Sequence, residues 1–243
     1  MKAMVFAAGL GTRLRPLTDD RPKALVELAG RTLLERVLRR LGEAGFDEVI
    51  VNVHHFAEKI AACLEAHQNF GLRVILSHEE TLLDTGGGLK QAAWFFTGDE
   101  PFLIHNVDVL SNIDLGALTR SHLDVNALAT LAVQERKSSR QLLFDSHGLL
   151  CGRQSPDKIE WARQASAPQP LAFSGIHIVS PRLLERMSET GVFSIIPTYL
   201  RLAAEGERIV AFRADDYYWR DLGKPESLAQ AGQDLVGGAY PGL

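Results

Sequence analysis

Cysteine is scarce in this chain of 243 residues: only Cys63 and Cys151 occur, with no Cys-x-x-Cys. That excludes a disulfide framework and gives no sign of a zinc site. No apolar run approaches the length of a membrane span. Basic charge is not in excess either, since 26 Lys and Arg face 30 Asp and Glu for a net charge of −4. A general nucleic-acid or anionic-membrane partner therefore has no support in the composition. Internal repeats, low-complexity tracts and linkers between independent domains are all missing. Two common nucleotide signatures fail as well. Leu14 stands where the dinucleotide fingerprint needs its third glycine, and no Gly-Lys-Ser/Thr marks a P-loop. Pro16 and Pro22 argue against an immediate turn into helix.

What remains is ordinary globular material, 46% hydrophobic and 23% charged. The length suits one large α/β domain, and a cytoplasmic enzyme is the expected class. The sequence opens with a short apolar run, Met4-Val5-Phe6-Ala7-Ala8, read as a buried strand. Gly9-Leu10-Gly11-Thr12-Arg13 follows as a tight loop whose backbone N–H groups can approach a ligand closely. Arg13, Arg15, Arg21 and Lys23 concentrate positive charge just beyond it. Strand, glycine turn and local basic cluster together suit a small polyanion, most simply the phosphates of a nucleotide.

Farther along, strands and helices alternate. Helical spacing runs from Thr32 to Ala44, a strand from Glu48 to Val53, a helix from Phe56 to His67 and a strand from Leu72 to Ser77. A helix is expected over Gly88–Phe96, then a strand over Pro101–His105 leading into Asn106-Val107-Asp108. Such alternation predicts a mostly parallel sheet with helices on both faces, with ligands at the carboxyl ends of its strands. After about residue 125 the pattern turns β-rich. Strands are read at 128–134, 141–145, 149–152, 172–179 and 208–213, helices at 181–187, 195–205 and 225–235, and a long loop over Ser155–Pro170. Residues 1–125 thus read as a nucleotide-binding half and 126–243 as a β-rich lobe of the same domain.

Two carboxylates stand out. Asp108 closes an apolar strand, where an unpartnered Asp is costly unless it reaches the open end of the sheet. Asp221 lies in Tyr217-Tyr218-Trp219-Arg220-Asp221-Leu222-Gly223. Either can also be read as a structural cap, of a strand end for Asp108 and of a helix start for Asp221. The adjacent pair His54-His55 points to opposite faces of a strand end and reads as a surface or core-edge pair.

The stretch from Gly9 to Thr18 with Pro22-Lys23 resembles the signature loop of the sugar-1-phosphate nucleotidyltransferases. So, in order along the chain, do Asp84-Thr85-Gly86-Gly87-Gly88-Leu89, Asp108, Phe173-Ser174-Gly175-Ile176 and Asp221. The resemblance implies a nucleotide-diphospho-sugar transferase fold and an Mg²⁺-dependent transfer of a nucleotidyl group from an NTP to a sugar 1-phosphate. It implies that Ala7, Ala8, Gly9, Gly11, Thr12 and Arg13 wrap the triphosphate, with Arg13 neutralising pyrophosphate. Lys23 would lie between the α-phosphate and the sugar phosphate, and Asp108 and Asp221 would hold the metal. Glu79, Gly86 and Gly87 would meet the base, and Asn106, Ser174 and Gly175 the sugar. A carboxylate at Glu79 accepts from the N–H edge of uracil or guanine. Glu79 also reads as an ordinary surface carboxylate, and the three glycines as a helix-initiating turn.

The Glu-Lys-Pro segment of many relatives is missing, since Cys151-Gly152-Arg153-Gln154-Ser155-Pro156 stands there. This, the short chain and the triple glycine most resemble the N-acetylmuramate-1-phosphate uridylyltransferases, with UTP the favoured nucleotide and peptidoglycan recycling the implied setting. A mannose- or heptose-1-phosphate guanylyltransferase is the alternative, and a non-catalytic nucleotide-sugar sensor a further one. A monomer or small homo-oligomer without the left-handed β-helix of some relatives is expected.

Overall fold

A computed structural model describes residues 1–240. In chain order the elements are β1 (Lys2–Phe6), β2 (Glu27–Leu28), β3 (Arg31–Thr32), α1 (Leu33–Glu43), β4 (Glu48–Val53), α2 (Ala57–Ala66) and β5 (Arg73–His78). Then follow α3 (Asp84–Gln91), β6 (Phe102–Asn106), β7 (Val109–Ser111), α4 (Leu115–Asp124), β8 (Ala129–Gln134), β9 (Gln141–Phe144), β10 (Leu150–Ser155) and β11 (Lys158–Trp161). The last are β12 (Gln169–Val179), α5 (Arg182–Arg186), α6 (Ile195–Ala204), β13 (Ile209–Arg213), β14 (Trp219–Asp221) and α7 (Pro225–Val236). The α/β class expected from the sequence is the one found. Packing divides the chain into two units, each assembled from separated stretches.

The first unit comprises Met1–Leu82, Ile104–Ile113 and the segment from Tyr217 onward. Its strands lie in the order β6-β1-β4-β5. β1 and β4 are parallel, with Phe6 opposite Asn52, and β4 and β5 are parallel, with Val53 opposite His78. Their apolar runs, Ala3-Met4-Val5 and Val49-Ile50-Val51, are wholly buried, as expected of strands covered on both faces. α1 starts where the Thr32 hydroxyl accepts the Glu35 N–H at 3.1 Å, and it buries Leu33, Leu34, Val37, Leu38 and Leu41. β1 ends two residues earlier than the apolar run suggests. The Ala7 N–H leaves the ladder and bonds to the Asn52 side chain instead, at 2.7 Å.

The second unit comprises Leu83–Leu103 and Asp114–Asp216. It is β-rich, with strands in the order β11-β10-β9-β12 and with β8 between β12 and β13. All these pairs are antiparallel except β8 with β13. Three readings change here. The segment 155–170 is not one long loop, because Ser155 pairs with Lys158 and the chain returns as β11. A helix, α4, occupies 115–124, capped by Asp114 accepting the Ala117 N–H at 2.8 Å. Its inward face includes Thr119 and His122, which obscured the apolar period. The helix expected over 88–96 begins at Asp84, so all three glycines lie inside α3.

Candidate active site

The loop after β1 is held by one anchor and by two hydrogen bonds to one carbonyl. Leu14 is fully buried, which contributes about 2 kcal/mol of apolar burial to fixing an otherwise exposed segment. The Leu14 N–H donates to the Gly11 carbonyl, and the Thr18 hydroxyl donates to the same oxygen, both at 2.9 Å. This leaves Thr12 and Arg13 exposed and Ala7 and Ala8 buried at the root of the loop. Pro22 then introduces a short turn of 3₁₀ helix, Lys23–Leu25, that carries Lys23 inward.

The Lys23 ammonium pairs with the Asp108 carboxylate. Their side chains are only 11% and 18% exposed, a setting in which an ion pair is screened far less than at the surface. Asp108 follows β6, where the Val107 N–H donates to the Phe6 carbonyl at 3.1 Å. The chain then enters β7, which pairs antiparallel with β14, placing Asp221 opposite Val109. The Leu222 N–H donates to the Asp108 carbonyl at 2.8 Å, so the two aspartates flank one hydrogen-bonded ladder. Asp221 is therefore a strand residue, not the cap of a helix start. Helix α7 begins later, at Pro225.

Gly223 makes room for the next contact. A Cβ there would fall 2.6 Å from both Arg13 Nη2 and Asp221 Oδ1. The Gly223 N–H also donates to Asp221 Oδ1 at 2.6 Å. Arg13, Lys23, Asp108 and Asp221 are thus brought together in the first unit, with Lys23 paired to Asp108. Two carboxylates suit a small hard cation that takes its other ligands from phosphates and water. No group of three or more metal-ligating side chains occurs among the described residues.

Glu79 also lies in this unit, and it is only 4% exposed, not an ordinary surface carboxylate. Its N–H donates to Val53 and its carbonyl accepts from His54 Nδ1, both at 2.8 Å. Asn52 Nδ2 donates to Glu79 Oε1 at 2.6 Å. Neither Asn52 nor His54 belongs to a motif that points to this role. The signal for Asn52 was a lone polar residue inside Val49-Ile50-Val51-Asn52-Val53.

In the second unit the glycines of α3 have a packing reason of their own. The N–H groups of Gly86 and Gly87 both donate to the Phe193 carbonyl, at 2.9 and 3.2 Å, which satisfies two donors of the helix start. A Cβ on Gly86 would overlap the Phe193 ring, and one on Gly87 would lie 2.5 Å from the Gly191 carbonyl oxygen. Ser174 is fully buried, and Gly175, at φ +73°, sits where the register of β12 against β8 shifts. Asn106 ends β6 in the first unit, half-buried.

The family model described as "Nucleotidyl transferase" matches residues 2–142. The chain belongs to this family. A curated N-acetylmuramate alpha-1-phosphate uridylyltransferase of Caulobacter vibrioides is 37% identical to this nucleotidyl transferase, over 94% of each chain. One of the same name from Neisseria meningitidis serogroup B is 33% identical, over 98% of this chain and 99% of that one. Among solved structures, UDP-glucose pyrophosphorylase complexed with UDP-glucose superposes with a TM-score of 0.78 at 19% identity, over 98% of each chain. HddC from Yersinia pseudotuberculosis complexed with GMP-PN gives 0.76 at 23% identity, over 96% of this chain and 99% of that one. At such identities the structural likeness is one of fold.

Proposed function

We propose that this nucleotidyl transferase joins UTP and N-acetylmuramate 1-phosphate to give the UDP-sugar and pyrophosphate. The observation that carries the reaction is the convergence of Arg13, Lys23, Asp108 and Asp221 around the β7–β14 ladder. Attacking and attacked phosphates are both anionic, so their approach needs cationic groups held in place beforehand. Lys23, pinned by Asp108, would lie between the α-phosphate and the sugar phosphate. Arg13, exposed at the loop tip, faces the departing pyrophosphate, and the backbone of Ala7, Ala8, Gly9, Gly11 and Thr12 follows the triphosphate. Asp108 and Asp221 would hold Mg²⁺, which when bound neutralises phosphate charge. Catalysis is then alignment and charge stabilisation, with no covalent enzyme intermediate.

Glu79 reads the base through its acceptor oxygens, favouring uracil or guanine over cytosine or adenine. Gly86 and Gly87 of α3 are candidate base contacts as well, and Asn106, Ser174 and Gly175 the candidate sugar contacts. UTP and N-acetylmuramate 1-phosphate are favoured because two relatives of that name match nearly end to end. A guanylyltransferase is the second reading, supported by a 28% identical mannose-1-phosphate guanylyltransferase of Mycobacterium tuberculosis. No helix among the described residues is long and apolar enough to cross a membrane. We read the enzyme as a cytoplasmic monomer or small homo-oligomer. Pyrophosphate release from a matrix of UTP, GTP, CTP and ATP with N-acetylmuramate, mannose and heptose 1-phosphates tests the assignment. Highest kcat/KM for UTP with N-acetylmuramate 1-phosphate is expected. GTP with mannose 1-phosphate would overturn the substrate and keep the reaction, and no release with any pair would overturn both.

A further inference from the structure

Asn52 is 3% exposed at the carboxyl end of β4, opposite Phe6 of β1 and the buried Ser77 of β5. Both halves of that amide are spent. Oδ1 accepts the Ala7 N–H at 2.7 Å, at the root of the glycine loop. An N–H there leaves Oδ1 no other role, so Nδ2 is the atom that donates to Glu79 Oε1, at 2.6 Å. The side chain therefore bridges the segment that meets the phosphates and the carboxylate that meets the base. The bridge also has a definite polarity. The Nδ2 donor on Oε1 orients the Glu79 carboxylate, whose remaining lone pairs only accept. Uracil and guanine present an N–H at the edge in question, whereas cytosine and adenine present an acceptor.

We propose that Asn52 is a positioning residue for base selection: it holds Glu79 as an acceptor and ties it to Ala7, so that an N–H-bearing base is chosen. The proposal rests on the reading of Glu79 as the base contact, and its test separates the two. Asn52→Asp is the informative change. It keeps an acceptor for the Ala7 N–H but turns an acceptor toward Glu79, so that the bond to Oε1 is lost and the carboxylate is no longer held in place.

kcat/KM would be measured for UTP, GTP, CTP and ATP with one sugar 1-phosphate, in wild type, Asn52→Asp, Asn52→Ala and Glu79→Gln. For Asn52→Asp, the ratio of the preferred nucleotide to CTP should fall roughly tenfold or more, the scale of one reversed buried hydrogen bond. The KM for the sugar 1-phosphate should stay near the wild-type value. A residue that only supports the fold would instead lower every kcat/KM together and leave the nucleotide ratio alone, and that result overturns the proposal. Should Asn52→Asp fail to fold, Asn52→Ala, which leaves space for a water, must show the same loss of ratio. If Glu79→Gln changes the ratio and neither Asn52 variant does, Asn52 has no such role and the reading of Glu79 stands. If Glu79→Gln leaves the ratio unchanged, Glu79 does not read the base and this proposal falls with it.

Discussion

At the residue scale the proposed chemistry falls to four side chains, and each has an expected failure. Asp108→Asn and Asp221→Asn each keep shape and remove one charge, and each should cut turnover by roughly a hundredfold or more. Chelation by EDTA should abolish pyrophosphate release and Mg²⁺ restore it, while full activity in EDTA would refute the metal role of both aspartates. Lys23→Ala is expected to weaken use of nucleotide and sugar phosphate alike, since the ammonium lies on Asp108 at the proposed meeting point. Arg13→Ala should lower kcat/KM by roughly a hundredfold with every NTP tested, because the triphosphate is common to all. Near-normal kcat/KM in either variant would remove that residue from the phosphate-binding role.

Glycines at two elements look alike in the sequence and differ in what they protect. At Gly223 a methyl group would push on the ends of Arg13 and Asp221, flexible groups that can yield. Gly223→Ala should therefore leave melting nearly unchanged and reduce kcat by roughly a hundredfold, the effect of a small misplacement of catalytic groups. At Gly87 the methyl would meet the Gly191 backbone, which cannot yield cheaply. Gly87→Ala should cost about 1–3 kcal/mol of stability. At this chain length that is a fall of roughly 2–4 °C in Tm per kcal/mol, read by thermal melting. Reversed outcomes, with Gly223 structural and Gly87 catalytic, would contradict the geometry. The same elements show what was legible in advance. β4 is found at the bounds expected from its apolar run, and the Gly9–Lys23 segment announced itself by composition. The three-residue strands β7 and β14 are too short to show a period, yet their pairing is what aligns Asp108 with Asp221. Asn52 and the Phe193 carbonyl act across 27 and more than 100 residues of chain, beyond the reach of local pattern.

Across the whole molecule the acid limit of stability should be set in the second unit, where two histidines are buried. His122 shares Nδ1 with the Thr130 hydroxyl at 3.0 Å, and burial pushes its pKa down to about 4. His177, ringed by Phe173 and Tyr199, is pushed by burial to about 3. Both folded values lie below the ordinary 6.5, so the neutral forms stabilise the fold fully above that pH. As pH falls below 6.5 the unfolded chain takes up protons that the folded one refuses. Each histidine then removes about 1.4 kcal/mol per pH unit until its own folded pKa is reached. Together they should cost about 4 kcal/mol by pH 5, a large share of the 5–15 kcal/mol that holds a typical domain together. The carboxylates held low by their partners, Asp234 by the Tyr218 hydroxyl and Glu189 by Arg201, are lost only on further acidification, below the ordinary carboxylate range. The window from pH 6.5 to 5 therefore isolates the histidines. Thermal melting across it should show a steep fall in Tm for the wild type and roughly half that slope for His177→Leu, whose apolar side chain has nothing to protonate. An unchanged slope in His177→Leu would mean that the imidazole gains water or a partner on protonation, and the histidine account of the acid limit would have to be given up.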